Sequence, residues 1–413
     1  MSRGGGARVV ITGRGVVSPL GVGLGAHWDA LAAGRSAVAS CARLAAFGTP
    51  PPPAAVVADD AIRPHLARLP RKQQKLYNRP TLLAMLAASM AMEDAGLAAG
   101  AGDPARFGVV LGVNAVGWEL DAMTRYLVAC ESPEAPGTLD LARANRFCMR
   151  SINPLDFSLK TLPNLAAGHV AIAWDAQGMC RALAEGMVAG THAIGQAFRT
   201  IEDGDLDAAL CGGTDAQLEE FLFAAYWGAG LVASGDAGPG FVAGEGSGVL
   251  VLEEAERARA RGARVRGELL AFAAAAGDGA VAADRDTDRL TARIAGVVGT
   301  ALDEAGVVPD LVALHAEGMP GHDAPEEAAL ARVLPRGAAP ARVALKRAHG
   351  HLGAAAGPVE LLACSAAFEH AMIPATALTS LEGAPPHHAL VISIGLFGEC
   401  AAIVLGHGDG GSR

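Results

Sequence analysis

Between Met179 and Glu202 the chain changes direction through residues that carry almost no side chain. The run Arg181-Ala-Leu-Ala-Glu-Gly-Met-Val-Ala-Gly-Thr-His-Ala-Ile-Gly195 predicts a short apolar strand from Met179 to Leu183, a corner, and a helix running to about Glu202. Gly186, Ala189 and Gly190 let backbones approach closely at such a corner. The free N–H groups and positive dipole end of the helix favour negative charge at its start. A thiolate standing there would be an activated nucleophile. The chain places Met187 at the corner instead, and a thioether can neither be deprotonated nor carry an acyl group.

The rest of the chain is built to bury such an element. Hydrophobic residues make up 51% of the 413 positions and charged residues 18%, a globular composition long enough for two compact units or one large duplicated domain. Aromatics are only 4%, so the core rests on Ala, Val and Leu. A formal charge of −10 argues against a nucleic-acid partner, whose footprint would be basic. An acidic carrier-protein partner would need a local basic patch. The seven cysteines, at 41, 130, 148, 180, 211, 364 and 400, show no C-x-x-C spacing and read as reduced, buried thiols. The start Met-Ser-Arg-Gly-Gly-Gly-Ala has no apolar h-region, and no apolar run reaches the ~18 residues of a membrane span. The expectation is a cytoplasmic protein with no membrane contact.

In chain order, Arg8 to Thr12 reads as a buried strand and Gly13 to Gly25 as a turn-rich loop. Its glycines lack the Gly-x-Gly-x-x-Gly spacing of a dinucleotide-binding loop. Residues 47–77, Pro-rich and then basic, read as a surface excursion, and 129–150 as an insertion-like loop. A helix is expected from about Pro80 to Ala95, closed by Gly96. Further strands are expected at Phe107–Leu111, Ala208–Gly213, Gly248–Glu253, near Leu269, and at Leu311–Leu314, Val343–Leu345, Leu390–Ile394 and Ala401–Leu405. Helices are expected over Arg289–Ala305 and Pro358–His370. Strands alternating with helices imply parallel, helix-covered sheets in two α/β halves. The halves are expected to divide into 1–255 and 256–413.

The stretch Gly168–Gly195, with Asp205–Gly213 after it, resembles the β-ketoacyl-acyl carrier protein synthases. In that family the corner reads Thr-Ala-Cys-x-x-Gly, and here Glu185, Gly186 and Met187 stand in the places of Thr, Ala and Cys. The opening Val-Val-Ile-Thr-Gly-x-Gly-Val-Val-Ser-Pro-Leu-Gly is similar to the family's first strand and loop. The resemblance runs from about Arg8 to Leu405 and implies a thiolase-like duplicated α/β/α/β/α five-layer fold.

It also implies a site. His315, in Leu-His-Ala-Glu-Gly-Met-Pro320, falls where the family has His-Gly-Thr-x-Thr-Pro. Lys346 and His351, in Leu-Lys-Arg-Ala-His-Gly-His-Leu-Gly353, fall on its Lys-x-x-x-Gly-His. In active synthases the histidines hold the malonyl thioester and stabilise the enolate left by decarboxylation, as N–H donors aimed at a developing negative charge would. The lysine pairs with a glutamate, expected here to be Glu326. His349 and His322 lie near the matched histidines in sequence, but no zinc-helix spacing recurs, so no metal and no cofactor is expected beyond the phosphopantetheine thioesters of a carrier protein.

The departures surround one pocket. Met187 replaces the nucleophile, and Glu317 and Met319 replace two threonines that help bind the pantetheine arm. Leu396, in Gly395-Leu-Phe-Gly-Glu-Cys400, replaces a gating Phe. Of the Arg-Pro-Phe-Asp-type segment only Gly238-Pro-Gly-Phe-Val-Ala-Gly-Glu-Gly246 remains. Cys180 lies seven residues before Met187, too early to replace the nucleophile.

A synthase-like chain without its Cys most resembles the chain length factor of type II polyketide synthases, polyene systems included. The resemblance implies pairing with a catalytic ketosynthase, service by an acyl carrier protein, and a tunnel whose side chains set product length. Trp118, with Val116 and Leu120 beside it and Leu396 at the pocket, is the expected gate. Two alternatives stand. One is a malonyl-carrier decarboxylase working through His315 and His351. The other is a synthase-like acyltransferase forming esters or amides.

Overall fold

The computed structural model describes residues 6–114, 120–151, 160–235, 238–279, 286–375, 378 and 385–408. Ten strands carry the architecture: β1 (Val9–Ser18), β2 (Phe107–Val113), β3 (Cys180–Leu183), β4 (Ala208–Ala216), β5 (Ala243–Glu254), β6 (Gly267–Ala275), β7 (Leu311–Ala313), β8 (Ala341–Val343), β9 (His388–Ile394) and β10 (Cys400–Gly406). They join in the order β8-β7-β9-β10-β6-β1-β5-β4-β2-β3.

The order splits into two equal sets. From the inside outwards, β1-β5-β4-β2-β3 pair antiparallel, antiparallel, parallel, parallel. β6-β10-β9-β7-β8 repeat that sequence of directions. The two innermost strands meet antiparallel, Val9 opposite Leu269. The duplication is thus visible in strand direction as well as in order. The expectation of purely parallel sheets is corrected by this pattern. A strand–helix rhythm fixes which elements alternate, but β5 and β10 each return beside their predecessor in the opposite direction.

Period two along the strands then builds the layers. Val109, Leu111, Leu210, Val249 and Val251 point outwards to helix α1 (Arg79–Ala95) and helix α2 (Asn164–Trp174). Val110, Cys211, Leu250 and Leu252 point inwards, into the same core cluster as Leu311, Val343, Val391, Ile403 and Leu405 of the second sheet. Between the sheets run helix α3 (Ala189–Glu202) and helix α6 (Ala356–His370). On the far side, Val312, Leu390, Ile392 and Val404 pack on helix α4 (Thr287–Ala305) and helix α5 (Pro320–Val333). The result is five layers, α/β/α/β/α. Every described residue of α6 up to Phe368 is buried, so its sequence shows no polar face.

Four further expectations need correction. β1 continues to Ser18 through the glycines read as turns. A Cβ at Gly13 would lie 2.1 Å from the carbonyl oxygen of Ala91, and one at Gly15 1.9 Å from that of Ala87. These glycines let α1 lie directly on the strand. Residues 129–150 hold the end of one helix, Leu120–Cys130, and most of another, Leu141–Ser151. The excursion over 47–77 sends Val57, Ile62, Leu69 and Tyr77 into the cluster beneath α1. None of the seven cysteines is joined in a disulfide, but Cys180 is exposed and Cys148 half-buried, where buried thiols were expected. Among the described residues no helix is long and apolar enough to cross a membrane.

The centre of the molecule is a backbone-to-backbone contact. A Cβ at Gly190 would lie 2.0 Å, and one at Gly213 2.1 Å, from the carbonyl oxygen of Ala354. One at Gly112 would lie 2.2 Å from the backbone of Ala189 and Gly190. Forcing side-chain volume into such a contact costs typically 1–3 kcal/mol or more. Gly190→Ala is therefore expected to lower the thermal midpoint by several degrees in a circular-dichroism melt. An unchanged midpoint would mean that the halves are not held this closely.

Candidate functional site

The Met187 corner is a single 3-10 turn, Gly186–Val188, leading directly into α3. Gly186 takes φ +65°, the left-handed conformation that turns the chain off β3. The Met187 side chain is only 2% exposed, and its Sδ accepts a hydrogen bond from Gln217 Nε2 at 3.1 Å. Around it lies an apolar cluster that includes Leu218, Phe223, Tyr226, Phe241 and Met319, with Leu396 packed against its edge. Three of these, Met187, Met319 and Leu396, are the positions expected from the sequence to depart from the pattern it resembles. Their departures share one volume.

The imidazoles stand beside this cluster, the His351 ring 5.3 Å from that of Phe241 and 5.4 Å from that of His315. Their tautomers follow from the backbone. Gly353 N–H donates to His351 Nδ1 at 3.0 Å, and Ile394 N–H donates to His315 Nδ1 at 3.3 Å. A backbone N–H can only donate, so each Nδ1 carries the lone pair and each neutral ring carries its proton on Nε2. Burial, with the positive charge of Lys346 adding to it, brings the His315 pKa down to about 4. Burial likewise holds His351 well below the ordinary histidine value. Both rings are therefore neutral Nε2–H donors at pH 7.

Both Nε2 atoms lie close to one carboxylate oxygen, in contacts that are not aligned as hydrogen bonds. Glu317 Oε2 lies 3.3 Å from His315 Nε2 and 3.4 Å from His351 Nε2. Its other oxygen is hydrogen-bonded to His322 Nδ1. Burial works against the Glu317 charge, but the electrostatic and hydrogen-bonding pull of His315 and His322 outweighs it and holds the carboxyl well below the usual range. The loop that presents these groups is fastened from α5. Glu326 accepts the N–H groups of His315 at 2.7 Å and Ala316 at 3.0 Å, and Asp323 accepts those of Glu317 and Gly318.

Lys346 is brought to the same interior, but its partner corrects the expectation. Its Nζ donates to Glu360 Oε1 on α6 at 2.7 Å, with both side chains buried. Burial pushes Glu360 up to about 7 against the pull of Lys346. Glu326 is spent on the His315 loop instead. Burial pushes it up to about 8 against its two backbone hydrogen bonds.

Of the expected gate, Leu396 lies at the pocket, half-buried. Val116 and Trp118 lie outside the described residues, and Leu120 is the first residue of its helix, its side chain outside them too. Cys180 stands exposed on β3, and partial desolvation moves its thiol pKa upwards, away from a reactive thiolate. Sequence reasoning missed Gln217, Asp323 and Glu360. The one available signal was the i, i+14 relation of Lys346 and Glu360 across the turn into α6, which no motif marks.

The donor atoms of His315, Glu317 and His322 lie within 4.8 Å of one another, close enough to raise a metal site. The tautomers speak against it. A metal-bound histidine gives its lone pair to the ion and donates its other N–H outwards. Here the outward nitrogen of His315 is an acceptor and its proton sits on the inward one, while His322 directs its Nδ1–H at the Glu317 carboxylate.

Two family models match this chain: the β-ketoacyl synthase N-terminal domain over residues 6–258 and its C-terminal domain over 268–379. The chain is 32% identical over 386 residues to a putative polyketide β-ketoacyl synthase 1 from Streptomyces halstedii, covering 90% of this chain and 87% of the relative. It is 31% identical over 398 residues to the tetracenomycin polyketide synthase ketoacyl synthase alpha subunit from Streptomyces glaucescens, covering 91% and 88%. Among solved structures, the ishigamide ketosynthase/chain length factor superposes with a TM-score of 0.80 at 27% identity, covering 97% of this chain and 99% of that one. The fold is that of the thiolase-like condensing enzymes, and this chain belongs to the β-ketoacyl synthase family.

Proposed function

We propose that this protein is a chain length factor-like subunit of a type II polyketide assembly. It would pair with a ketosynthase that retains its cysteine and shape the tunnel into which the chain grows. One observation carries the reading. At the head of α3, where the family's nucleophile stands, the side chain is a buried thioether walled in by Phe241, Met319 and Phe223. A sulfur that cannot ionise cannot take an acyl group from a carrier thioester. The likeness to a ketosynthase/chain length factor supports the pairing.

The surface offers a place for the partner. β3 is the last strand of the sheet path, and Cys180 and Arg181 are exposed on it. On the neighbouring α2, Ile172 is 74% exposed. An edge strand beside an exposed apolar side chain is a template for pairing with another chain. The acyl carrier protein would serve the complex, and this subunit would need no cofactor of its own.

Control of length would be steric, exerted where the growing chain meets side chains at the shared interface. Trp118 remains the proposed gate. Trp118→Ala is expected to shift the pair's products to longer chains, read by mass spectrometry. An unchanged length distribution would remove Trp118 from the role.

Retention of two Nε2–H donors favours one second reading, a malonyl-carrier decarboxylase. Such donors would stabilise an enolate oxygen, were it placed between them. Intact-mass analysis of malonyl-loaded carrier protein incubated with this chain separates the two. Loss of carbon dioxide no faster than in a His351→Ala control is expected. Loss that depends on His351 would make the protein a priming enzyme.

A further inference from the structure

The centre of the old reaction site is already occupied by the chain itself. His315 and His351 are held by backbone N–H groups so that both carry the proton on Nε2, and Glu317 Oε2 lies 3.3 and 3.4 Å from these two atoms. Neither contact is aligned as a hydrogen bond, and the three atoms have no other partner among the described residues, so Oε2 acts on the pair as a close, buried negative charge, the kind of charge such donors stabilise. Its second oxygen is tied to His322, so the carboxylate is fixed at both ends. The loop beneath it is pinned by Glu326 and Asp323. The Glu317 side chain is 1% exposed and those of His315 and His351 are 2% and 1%. No solvent competes for these donors.

We infer that Glu317 is a built-in carboxylate ligand of the two-histidine donor pair, and that the pair is a carboxylate-binding site closed by the protein's own side chain. This goes beyond the chain-length reading and holds whether or not the subunit sets product length. Occupancy and charge act together. An acyl oxygen approaching the Nε2–H groups would crowd Oε2, which is within 3.4 Å of both, and the carboxylate of a malonyl unit would meet a like charge. The Nε2–H tautomers also separate this site from a metal centre, which needs the lone pairs that these rings turn outwards. Removing Glu317 leaves two buried donors without the negative charge beside them, and a small free carboxylate has the charge and shape to fill the gap.

The test uses the full chain and sodium acetate as the probe. Glu317→Ala is expected to melt below the wild type, and acetate is expected to restore a few degrees in a saturable manner, as binding to the folded state alone requires. Sodium chloride at equal ionic strength should do nothing comparable, and the wild type should not respond. Equal acetate response in both proteins, or none in either, overturns the inference. Should Glu317→Ala fail to fold, nitrogen-15 spectra of histidine-labelled wild type decide, with His315 and His351 assigned by single substitutions. Protonated Nε2 with unprotonated Nδ1 in both rings is expected, and the opposite tautomer in either overturns the inference. One equivalent of zinc bound by the wild type and lost in Glu317→Gln would likewise replace the internal carboxylate with a metal site.

Discussion

The carbonyl oxygen of Ala354 faces Gly190 and Gly213 at distances that leave no room for a side chain on either. The N–H of the same residue is taken by Asp215 Oδ2 at 3.0 Å. Burial pushes the Asp215 carboxyl up to about 7, so this tie is made in an environment poor in water. Through it the head of α3, the end of β4 and the turn before α6 are locked at one point where the two halves of the fold meet. That lock places the Met187 corner from the first half beside His351 from the second. The site exists only because backbone can touch backbone there.

Once the halves are locked, the chemistry of the interior is decided by which side chains fill a fixed volume. The histidines keep the posture of donors because Gly353 and Ile394 hold them, and neither contact depends on the nucleophile. On the proposed reading, an oriented donor pair is thus retained without acyl transfer. At the corner itself the side chain is a thioether capped by Gln217, with apolar side chains packed around it. Around this interior, buried Lys346 and Glu360 form an ion pair. Breaking such a pair by removing one partner is costly because the other charge is left buried and uncompensated.

Much of this was legible in the residues. The corner around Met187, the two histidines and Lys346 sit in short motifs whose order survives, and the apolar strand runs located nearly every element of both sheets. What escaped has identifiable causes. Gly13 and Gly15 resemble turn residues but serve close packing of α1 on β1, and composition does not distinguish the two uses. Strand direction leaves no local trace, so the antiparallel returns of β5 and β10 had to be seen. Glu360 was hidden as the one charged residue in the buried run of α6 up to Phe368, while Glu326 was nearer to the His315 motif and looked the better partner. Glu317 was legible as an expected departure from the pattern the sequence resembles. Its place close to two imidazoles depends on contacts between segments more than thirty residues apart.

The central claim is that this chain lacks acyl chemistry of its own and works through a partner. Intact-mass analysis of the reconstituted pair after incubation with acyl-loaded carrier protein tests it most directly. The account predicts an acyl adduct on the cysteine-bearing ketosynthase and none on this chain. An adduct on this chain, at Cys180 or any other residue, would contradict it.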